Sequence, residues 1–110
     1  MSDCIFCQIR DKQIPSQIVY EDENVLAFND IQPQAPVHVL IVSKKHIPSL
    51  TAMTEADDAL LPAIFGAIRR IAIEAGIAER GFRVITNCGQ SAGQTVGHLH
   101  FHLLGGKDFD

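Results

Sequence analysis

Basic residues are scarce in this sequence, and long apolar runs are absent. Its 110 residues include nine lysines and arginines against thirteen aspartates and glutamates, for a formal net charge of −4. So few and scattered positive charges argue against a surface that coats nucleic acid or binds an anionic membrane. No stretch reaches the roughly eighteen apolar residues of a membrane-spanning helix. Because Met1-Ser2-Asp3-Cys4 is not a signal peptide either, we expect a cytoplasmic protein without nucleic-acid or membrane partners.

Cysteines are also few, and their number is odd. Three cysteines in a short chain do not make a disulfide framework. Two of them, Cys4 and Cys7, are spaced Cys-x-x-Cys. Such a pair is typical of redox chemistry when it follows a strand and opens a helix, and no strand fits into the three residues before Cys4. Zinc binding is the favoured interpretation, and His46 and His98 are the remaining candidate ligands.

The length of the chain allows one modest hydrophobic core, so we expect a single domain over residues 1–110. Short apolar runs between turns predict strands at 18–20, 25–28, 37–42, 82–86 and 98–104. A short helix is expected at 4–10, and a 3.6-residue apolar stripe predicts a long helix at 54–75. Pro62 should kink the long helix or mark a true start nearer Asp58. The predicted fold is α+β, with a five-stranded, mostly antiparallel sheet.

The last predicted strand carries three of the five histidines at alternate positions: His98, His100 and His102. Alternate residues of a strand point to one face, about 7 Å apart. At that separation one imidazole can attack a phosphorus while its neighbour binds a phosphoryl oxygen. The central His100 is the natural nucleophile, because groups on both sides can hold the phosphate. His102 is then the donor to a phosphoryl oxygen.

Two other interpretations of the histidines remain open. A buried histidine is often an ordinary hydrogen-bonded core residue, although three on one face have no packing reason to be there. His98 and His100 could also chelate one catalytic zinc from the same face of the strand, since their spacing permits it.

A polar, glycine-rich segment at residues 87–97 precedes the histidine strand. Its glycines allow backbone N–H groups to approach an anion closely. Asn87, Gln94 and Thr95 add neutral donors, and Gly93 lies among them. The segment lacks the Gly-Lys-Ser/Thr of a Walker loop. By itself it is also typical of a flexible hairpin connection, but beside the histidine strand it predicts a phosphate site.

The His-x-His-x-His-apolar-apolar run after Gly93-Gln94-Thr95 resembles the motif of the histidine triad family. The resemblance extends to Ile14-Pro15, to residues 27–38 and to Lys44-Lys45-His46, so it covers nearly the whole chain. It is closest to the Hint branch, the histidine triad nucleotide-binding proteins. One difference is Thr95, where that branch usually has serine; the hydroxyl is kept, but the added methyl group narrows the site.

The resemblance implies a purine nucleotide substrate, a nucleotidyl-histidine intermediate and a homodimer. It implies the same roles for His100 and His102, includes His98 in the catalytic set, and gives Thr95 the passage of a proton to the leaving group. The Cys-x-x-Cys pair resembles instead the histidine triad proteins that carry a structural zinc, so the branch assignment is mixed. We expect that zinc on Cys4 and Cys7 with the candidate ligands His46 and His98, and we expect no organic cofactor.

The nucleotide contacts are likewise implied by the resemblance. On sequence alone, Asp30 could be a turn aspartate that caps its own backbone, whereas the resemblance favours a carboxylate that binds both ribose hydroxyls. The implied apolar pocket for the base consists of Phe6, Ile14, Phe28 and Ile31.

The leading hypothesis is therefore a nucleoside phosphoramidase of the adenosine 5′-monophosphoramidase type. Cleavage of dinucleoside polyphosphates is an alternative within the same chemistry. A nucleotide-binding module without activity is an alternative from another class, although the intact histidine triplet argues against it.

Overall fold

Five antiparallel strands form the frame of the computed structural model, which describes residues 3–109. In chain order they are β1 (Ile18–Glu21), β2 (Val25–Asn29), β3 (Val37–Ser43), β4 (Phe82–Ile85) and β5 (His100–Gly105). Their order in the sheet is β1-β2-β3-β5-β4. Two α-helices accompany them, α1 (Ile5–Arg10) and α2 (Leu60–Glu74), with short 3₁₀ turns at Leu50–Ala52, Glu55–Asp57 and Gln90–Ala92. The predicted α+β fold is confirmed.

The two faces of the sheet have different roles because side chains alternate along each strand. Val39 and Ile41 of β3 lie opposite Leu103 and Phe101 of β5, and this face packs against α2 in the larger core cluster. The other face carries the smaller cluster, which includes α1 and is formed by Phe6, Ile9, Leu26, Phe28, Leu40 and Val42. His100 and His102 lie opposite residues of this second face in β3. The histidines therefore lie on the side of the sheet away from the long helix.

Helix α2 begins six residues later than the predicted start at 54. Pro62 is in its first turn, because a proline ring clashes with the carbonyl four residues earlier and is tolerated only near a helix start. The preceding residues form the separate 3₁₀ turn, with a capping box between Thr54 and Asp57. The helix ends in a Schellman motif around Gly76, whose φ of 75° is the left-handed conformation that glycine favours. No helix among residues 3–109 has the length and apolarity needed to cross a bilayer.

The histidine strand also begins later than predicted, at His100 instead of His98. The N–H of His98 donates to the carbonyl of Val96, which closes a tight turn immediately before the strand. The N–H of Leu99 donates to the carbonyl of Ile47, at 2.7 Å, outside the sheet ladder. His98 is therefore outside the sheet ladder, and the predicted strand start at 98 is wrong. Its ring still contacts Phe6, as the ring of His100 does, but its Nδ1 is directed to Cys4.

Candidate active site

Two cavities meet at the histidines of β5. The first, of about 500 Å³, lies between α1 and the loop after β2, and its walls include Phe6, Ile14, Phe28, Asp30 and Ile31. The second, of about 410 Å³, extends toward β4, and its walls include Arg83, Asn87 and Gly93. Thr95, His100 and His102 line both cavities. The predicted base-pocket residues are thus together on one side of the histidine pair.

His100 is held by its own strand and by α1. Its Nδ1 is 2.7 Å from the backbone carbonyl of His98. Because a carbonyl only accepts, Nδ1 carries a proton, and in the neutral ring Nε2 then keeps its lone pair. The ring of Phe6 packs edge-on against His100 at a centroid distance of 5.1 Å. A buried imidazole with a fixed Nδ1–H and an unprotonated Nε2 has the form that a nucleophile requires.

His102 has the opposite tautomer, set by a chain of two hydrogen bonds. The backbone N–H of Gln34 donates to His38 Nδ1, at 3.1 Å, so the proton of a neutral His38 is on Nε2. His38 Nε2 lies 3.0 Å from His102 Nδ1 and donates to it. Nε2 of His102 therefore carries a proton and can donate to an anion. The pKa of His102 is lowered by burial first and then by the charges of His100 and His38, while Asp30 opposes the shift.

Asp30 begins the loop that forms the outer wall of the first cavity. Its Oδ1 accepts from the N–H of Gln32, at 2.8 Å. This oxygen therefore caps the turn, as the first interpretation of Asp30 predicts. Its Oδ2 lies 3.4 Å from His38 Nε2 and faces the cavity side. Ile31 is 91% exposed at the mouth of the same cavity. An isoleucine so exposed beside an apolar cavity is available to cover a flat ligand.

Hydrogen bonds from side chains of the glycine-rich loop to nearby backbone groups stabilise the loop. The Gln94 side chain accepts from the N–H of Gly89 and donates to the carbonyls of Pro48 and Val96. Asn87 donates to the carbonyl of Ala92, at 2.8 Å. The side-chain amides that were predicted to be phosphate donors are thus occupied with the backbone. Within residues 3–109, the N–H groups of Thr95 and Val96 have no acceptor, and these are the donors that the loop offers beside His100.

Cys4, Cys7, His46 and His98 form a compact group beneath α1. Their ligand atoms all lie within 4.8 Å of one another. Sγ of Cys4 is 3.3 Å from Nδ1 of His98, and Sγ of Cys7 is 3.4 Å from Nδ1 of His46. Ligands of a tetrahedral zinc are about 3.3–3.8 Å apart for the usual Zn–N and Zn–S bond lengths. The group can therefore hold a metal ion with little rearrangement.

Neighbouring groups give His98 the tautomer and the neutral charge that a metal ligand needs. Its Nε2 donates to the carbonyl of Ser43 at 2.7 Å, which leaves the lone pair on Nδ1, the atom that faces the cysteines. Burial lowers the pKa of His98 to about 4, so its imidazole is neutral at neutral pH. The backbone carbonyl of His98 contacts the ring of His100. The ring of His98 is in the cysteine group, as predicted for a metal ligand, and its place in a catalytic set stays a prediction.

The alternative of a catalytic zinc on His98 and His100 has no geometric support. Among residues 3–109, the groups of ligand atoms close enough to share a metal ion include no nitrogen of His100. The group that contains His98 already supplies four protein ligands, which leaves no position for a catalytic water.

Three contributors to the site had no predicted role. The family resemblance predicts that His38 lies beside the site but gives it no role, and no role is predicted for Gln34 or Arg83. Alternation along β3 does place His38 on the face of Leu40, which was a usable signal. Gln34 acts through its backbone N–H, a group that every residue except proline has. Its contact with His38 therefore cannot be predicted from the residue type.

Comparisons with known proteins agree on one family. The family model described as "HIT domain" matches residues 11–109. The chain is 43% identical over 105 residues to purine nucleoside phosphoramidase from Escherichia coli K12, covering 96% of this chain and 88% of that protein. It is 49% identical over 107 residues to an uncharacterised HIT-like protein from Synechocystis, covering 97% and 93%. A HIT family hydrolase from Clostridium thermocellum superposes with a TM-score of 0.97 at 51% identity, covering 100% of this chain and 96% of that one.

The hydrogen bonds predict the histidine tautomers at neutral pH. Long-range ¹H–¹⁵N correlation spectra should show His98 and His102 protonated on Nε2 and His100 protonated on Nδ1. His38→Phe should release the tautomer of His102, since its donor is gone, and should leave that of His100 unchanged. An Nδ1–H tautomer for His102 in the unsubstituted protein would contradict the chain through His38.

Proposed function

Since the chain belongs to the HIT domain family, we propose that it hydrolyses purine nucleoside 5′-phosphoramidates through a nucleotidyl intermediate on His100. The observation that carries this proposal is the pair of opposite tautomers, an unprotonated Nε2 on His100 beside a protonated Nε2 on His102. The purine nucleoside phosphoramidase relative, at 43% identity, supports the type of substrate. The HIT family hydrolase with nearly the same backbone supports hydrolysis in general.

In the first step, Nε2 of His100 attacks the α-phosphorus and the P–N bond breaks. His102 donates its Nε2–H to a phosphoryl oxygen and stabilises the negative charge there. The departing amine needs a proton, and the hydroxyl of Thr95, which lines both cavities, is the group proposed to pass it. The products of this step are the free amine and a nucleoside monophosphate joined to His100 through its phosphorus.

In the second step, water attacks the same phosphorus and the bond to His100 Nε2 breaks. The hydroxyl of Thr95 can take the proton of the attacking water, which reverses its first role. The hydrogen bond from His100 Nδ1–H to the carbonyl of His98 persists throughout, so the ring stays in place while its Nε2 is alternately bonded and free. Nucleoside monophosphate then leaves.

The nucleoside is proposed to occupy the first cavity. Phe6 and Phe28, whose rings meet edge-on at 5.6 Å, form its apolar floor with Ile14, and Ile31 covers its mouth. The Oδ2 of Asp30 is proposed to accept from the ribose hydroxyls. The phosphate is proposed to lie on the N–H groups of Thr95 and Val96, beside Gly93 and Asn87 in the cavity wall.

His100→Asn is expected to lower turnover of adenosine 5′-phosphoramidate more than a hundredfold, because the nucleophile is lost. Binding of adenosine monophosphate should persist, since the ribose and phosphate contacts remain, and calorimetry measures it. Rapid-quench mass spectrometry of the unsubstituted protein should detect the covalent adduct. The covalent route would be wrong if His100→Asn kept turnover within tenfold of the original and the unsubstituted protein formed no adduct. Direct attack of water on the phosphorus would then be the mechanism.

The Asp30 contact is tested in that inactive background. Adding Asp30→Ala to His100→Asn should weaken monophosphate binding by about 1.5–3 kcal/mol, because charged hydrogen bonds to two hydroxyls are removed. The single variant should prefer ribose to 2′,3′-dideoxyribose, and the double variant should not. An unchanged preference would remove Asp30 from the ribose site.

We further propose that Cys4, Cys7, His46 and His98 bind one structural zinc ion. The thiols and imidazoles of this group match the ligands that zinc prefers, and its ligand spacings fit a tetrahedron. The ion would tie the short helix α1 to the loops before α2 and β5. Terminal segments with little apolar surface need such an anchor, because otherwise they fray.

Protein purified without added zinc is expected to contain one zinc ion per chain by atomic emission, and chelation should lower its melting temperature. Cys4→Ser/Cys7→Ser should lose the metal. Cys88→Ser is the matched control and should keep it, since Cys88 lies against Thr51, outside the group. Metal-free protein whose melting temperature does not respond to chelation would refute the proposal.

A homodimer is proposed from the exposed edge of the sheet at β4. Phe82 and Val84 of this edge strand are each 37% exposed, and Phe65 of α2, in ring contact with Phe101 of β5, is 43% exposed nearby. An open strand edge bordered by apolar residues is a template for pairing with a second copy.

Sedimentation velocity should therefore give the mass of a dimer at micromolar concentration. Val84→Asp should shift the species to a monomer, because a charge is placed on the proposed contact. Val19→Asp is the matched control on the opposite edge strand, β1, where Val19 is 40% exposed, and it should remain dimeric. A monomeric unsubstituted protein would contradict this interface.

A further inference from the structure

Cys4 and Cys7 differ in their access to solvent. Cys4 is half-buried and lines a third cavity, of about 520 Å³, beside the exposed residues His46 and Gly97. Cys7 is only 2% exposed, and the walls that residues 3–109 give this cavity do not include it. A small solute that enters the cavity therefore meets the sulfur of Cys4 and not that of Cys7.

The start of α1 brings the two sulfur atoms together. Cys4 is the N-cap of this helix, and Cys7 is in its first turn. The N–H of Cys7 donates to Sγ of Cys4 at 3.5 Å, and the two sulfurs lie within 4.8 Å of each other. Residues three apart at a helix start have the backbone separation that a disulfide bond requires. The two sulfurs can therefore be joined by a change within this turn.

The turn between the two cysteines also contains a wall of the nucleotide cavity. The ring of Phe6 packs edge-on against His98 and His100, at centroid distances of 5.8 and 5.1 Å. It meets the ring of Phe28 as well and lines the first cavity. A change in the first turn of α1 therefore changes both the wall of this cavity and the packing around His100.

Contacts of the two sulfurs hold this turn against the rest of the chain. Sγ of Cys4 lies 3.3 Å from Nδ1 of His98, and Sγ of Cys7 lies 3.4 Å from Nδ1 of His46 and 3.7 Å from that of His98. Sulfurs that are bonded to each other are drawn away from these nitrogens. They are also lost as thiolate ligands, which leaves a metal ion only the two histidines.

We propose that Cys4 and Cys7 are a site of reversible oxidation by peroxide, and that the disulfide formed there weakens nucleotide binding by displacing Phe6. The effect on binding rests on the proposed function, and the accompanying loss of metal rests on the proposed zinc site. The disulfide itself depends on neither. Cys-x-x-Cys pairs at helix N-termini are a common setting for thiol–disulfide chemistry.

The difference in access sets the order of the two steps. Sγ of Cys4 attacks one oxygen of hydrogen peroxide, the O–O bond breaks and hydroxide leaves, so that Cys4 becomes a sulfenic acid. Sγ of Cys7 then attacks the sulfur of Cys4, the S–O bond breaks and a second hydroxide leaves. The two thiolates together lose two electrons, which the peroxide gains. A thiol reductant reverses the change through a mixed disulfide.

Peroxide treatment of Cys88→Ser tests the modification. The third thiol is then absent, and Cys88 lies against Thr51, outside the cysteine group. Hydrogen peroxide should lower the mass of the protein by two hydrogen atoms, and a tryptic peptide ending at Arg10 should contain the disulfide. A chromogenic chelator should detect one released zinc ion per chain. Dithiothreitol followed by zinc should restore the starting state.

The effect on nucleotide binding is measured on the same samples. Oxidation should weaken the binding of adenosine monophosphate roughly tenfold by calorimetry, the change expected when one aromatic contact is lost. Amide hydrogen exchange should increase in residues 5–10 and stay unchanged in β2 and β3. Cys4→Ser/Cys7→Ser/Cys88→Ser is the matched control, since it has no sulfur pair to join. Peroxide should leave its affinity for adenosine monophosphate unchanged.

The possible failures point to different parts of the proposal. Two intact thiols after peroxide, or a sulfinic acid on Cys4 without a disulfide, would overturn the modification. A disulfide with unchanged affinity would overturn its effect through Phe6. Disulfide formation with no zinc released would count against the zinc site alone. If the reduced protein does not bind adenosine monophosphate, the proposed function fails together with the effect on binding, and the mass still decides the disulfide.

Discussion

The hydrogen bond from His100 Nδ1–H to the carbonyl of His98 is the constraint on which the site depends. It fixes the ring of His100, decides which nitrogen is unprotonated, and does so with a backbone group that no side-chain substitution at His98 removes. The same residue directs its ring to Cys4 and Cys7 through a second bond, from Nε2 to the carbonyl of Ser43. His98 thus contacts the cysteine group through its ring and His100 through its carbonyl.

The central strands carry the histidines of the site, and the loops form most of the cavity walls around them. β3 and β5 lie at the centre, with burial on both faces, and they hold His38, His100 and His102 in a fixed register. The groups that line the two cavities from outside the sheet come mainly from α1, the loop after β2 and the loop before β5. Proteins often place binding residues on loops that a rigid, packed scaffold holds in position.

Much of the fold followed from local patterns in the sequence. Apolar runs between turns located all five strands, and the cysteine spacing with two unassigned histidines predicted the four-residue group that the structure brings together. The late start of β5 could not be predicted in the same way. Alternation of histidine and apolar residues continues without a break from His98, and the strand is delayed by contacts of Val96 and Ile47 that depend on the folded chain.

Several hydrogen bonds of the site also could not be predicted, because they too depend on how the chain folds. The tautomer of His102 depends on a backbone N–H of Gln34, which is four residues before His38 in a loop that contains Pro36. The amide of Gln94, a reasonable phosphate donor by type, is satisfied by backbone carbonyls close in space, one of them 46 residues away in sequence. Residue type indicated which groups can bind an anion, whereas only the fold determined which of them are already engaged.

The position of β5 in the sheet has a consequence for biosynthesis. β5 is the last strand in chain order, yet it lies between β3 and β4 and carries both His100 and His102. A ribosome releases β1 to β3 and α2 first, and until β5 emerges the apolar β3 has one unpaired edge. Chains that end before β5 therefore leave an unpaired strand edge, which is a template for pairing with other chains, and they lack both His100 and His102. The sheet is completed and the two histidines are brought into place by the same segment, residues 100–105.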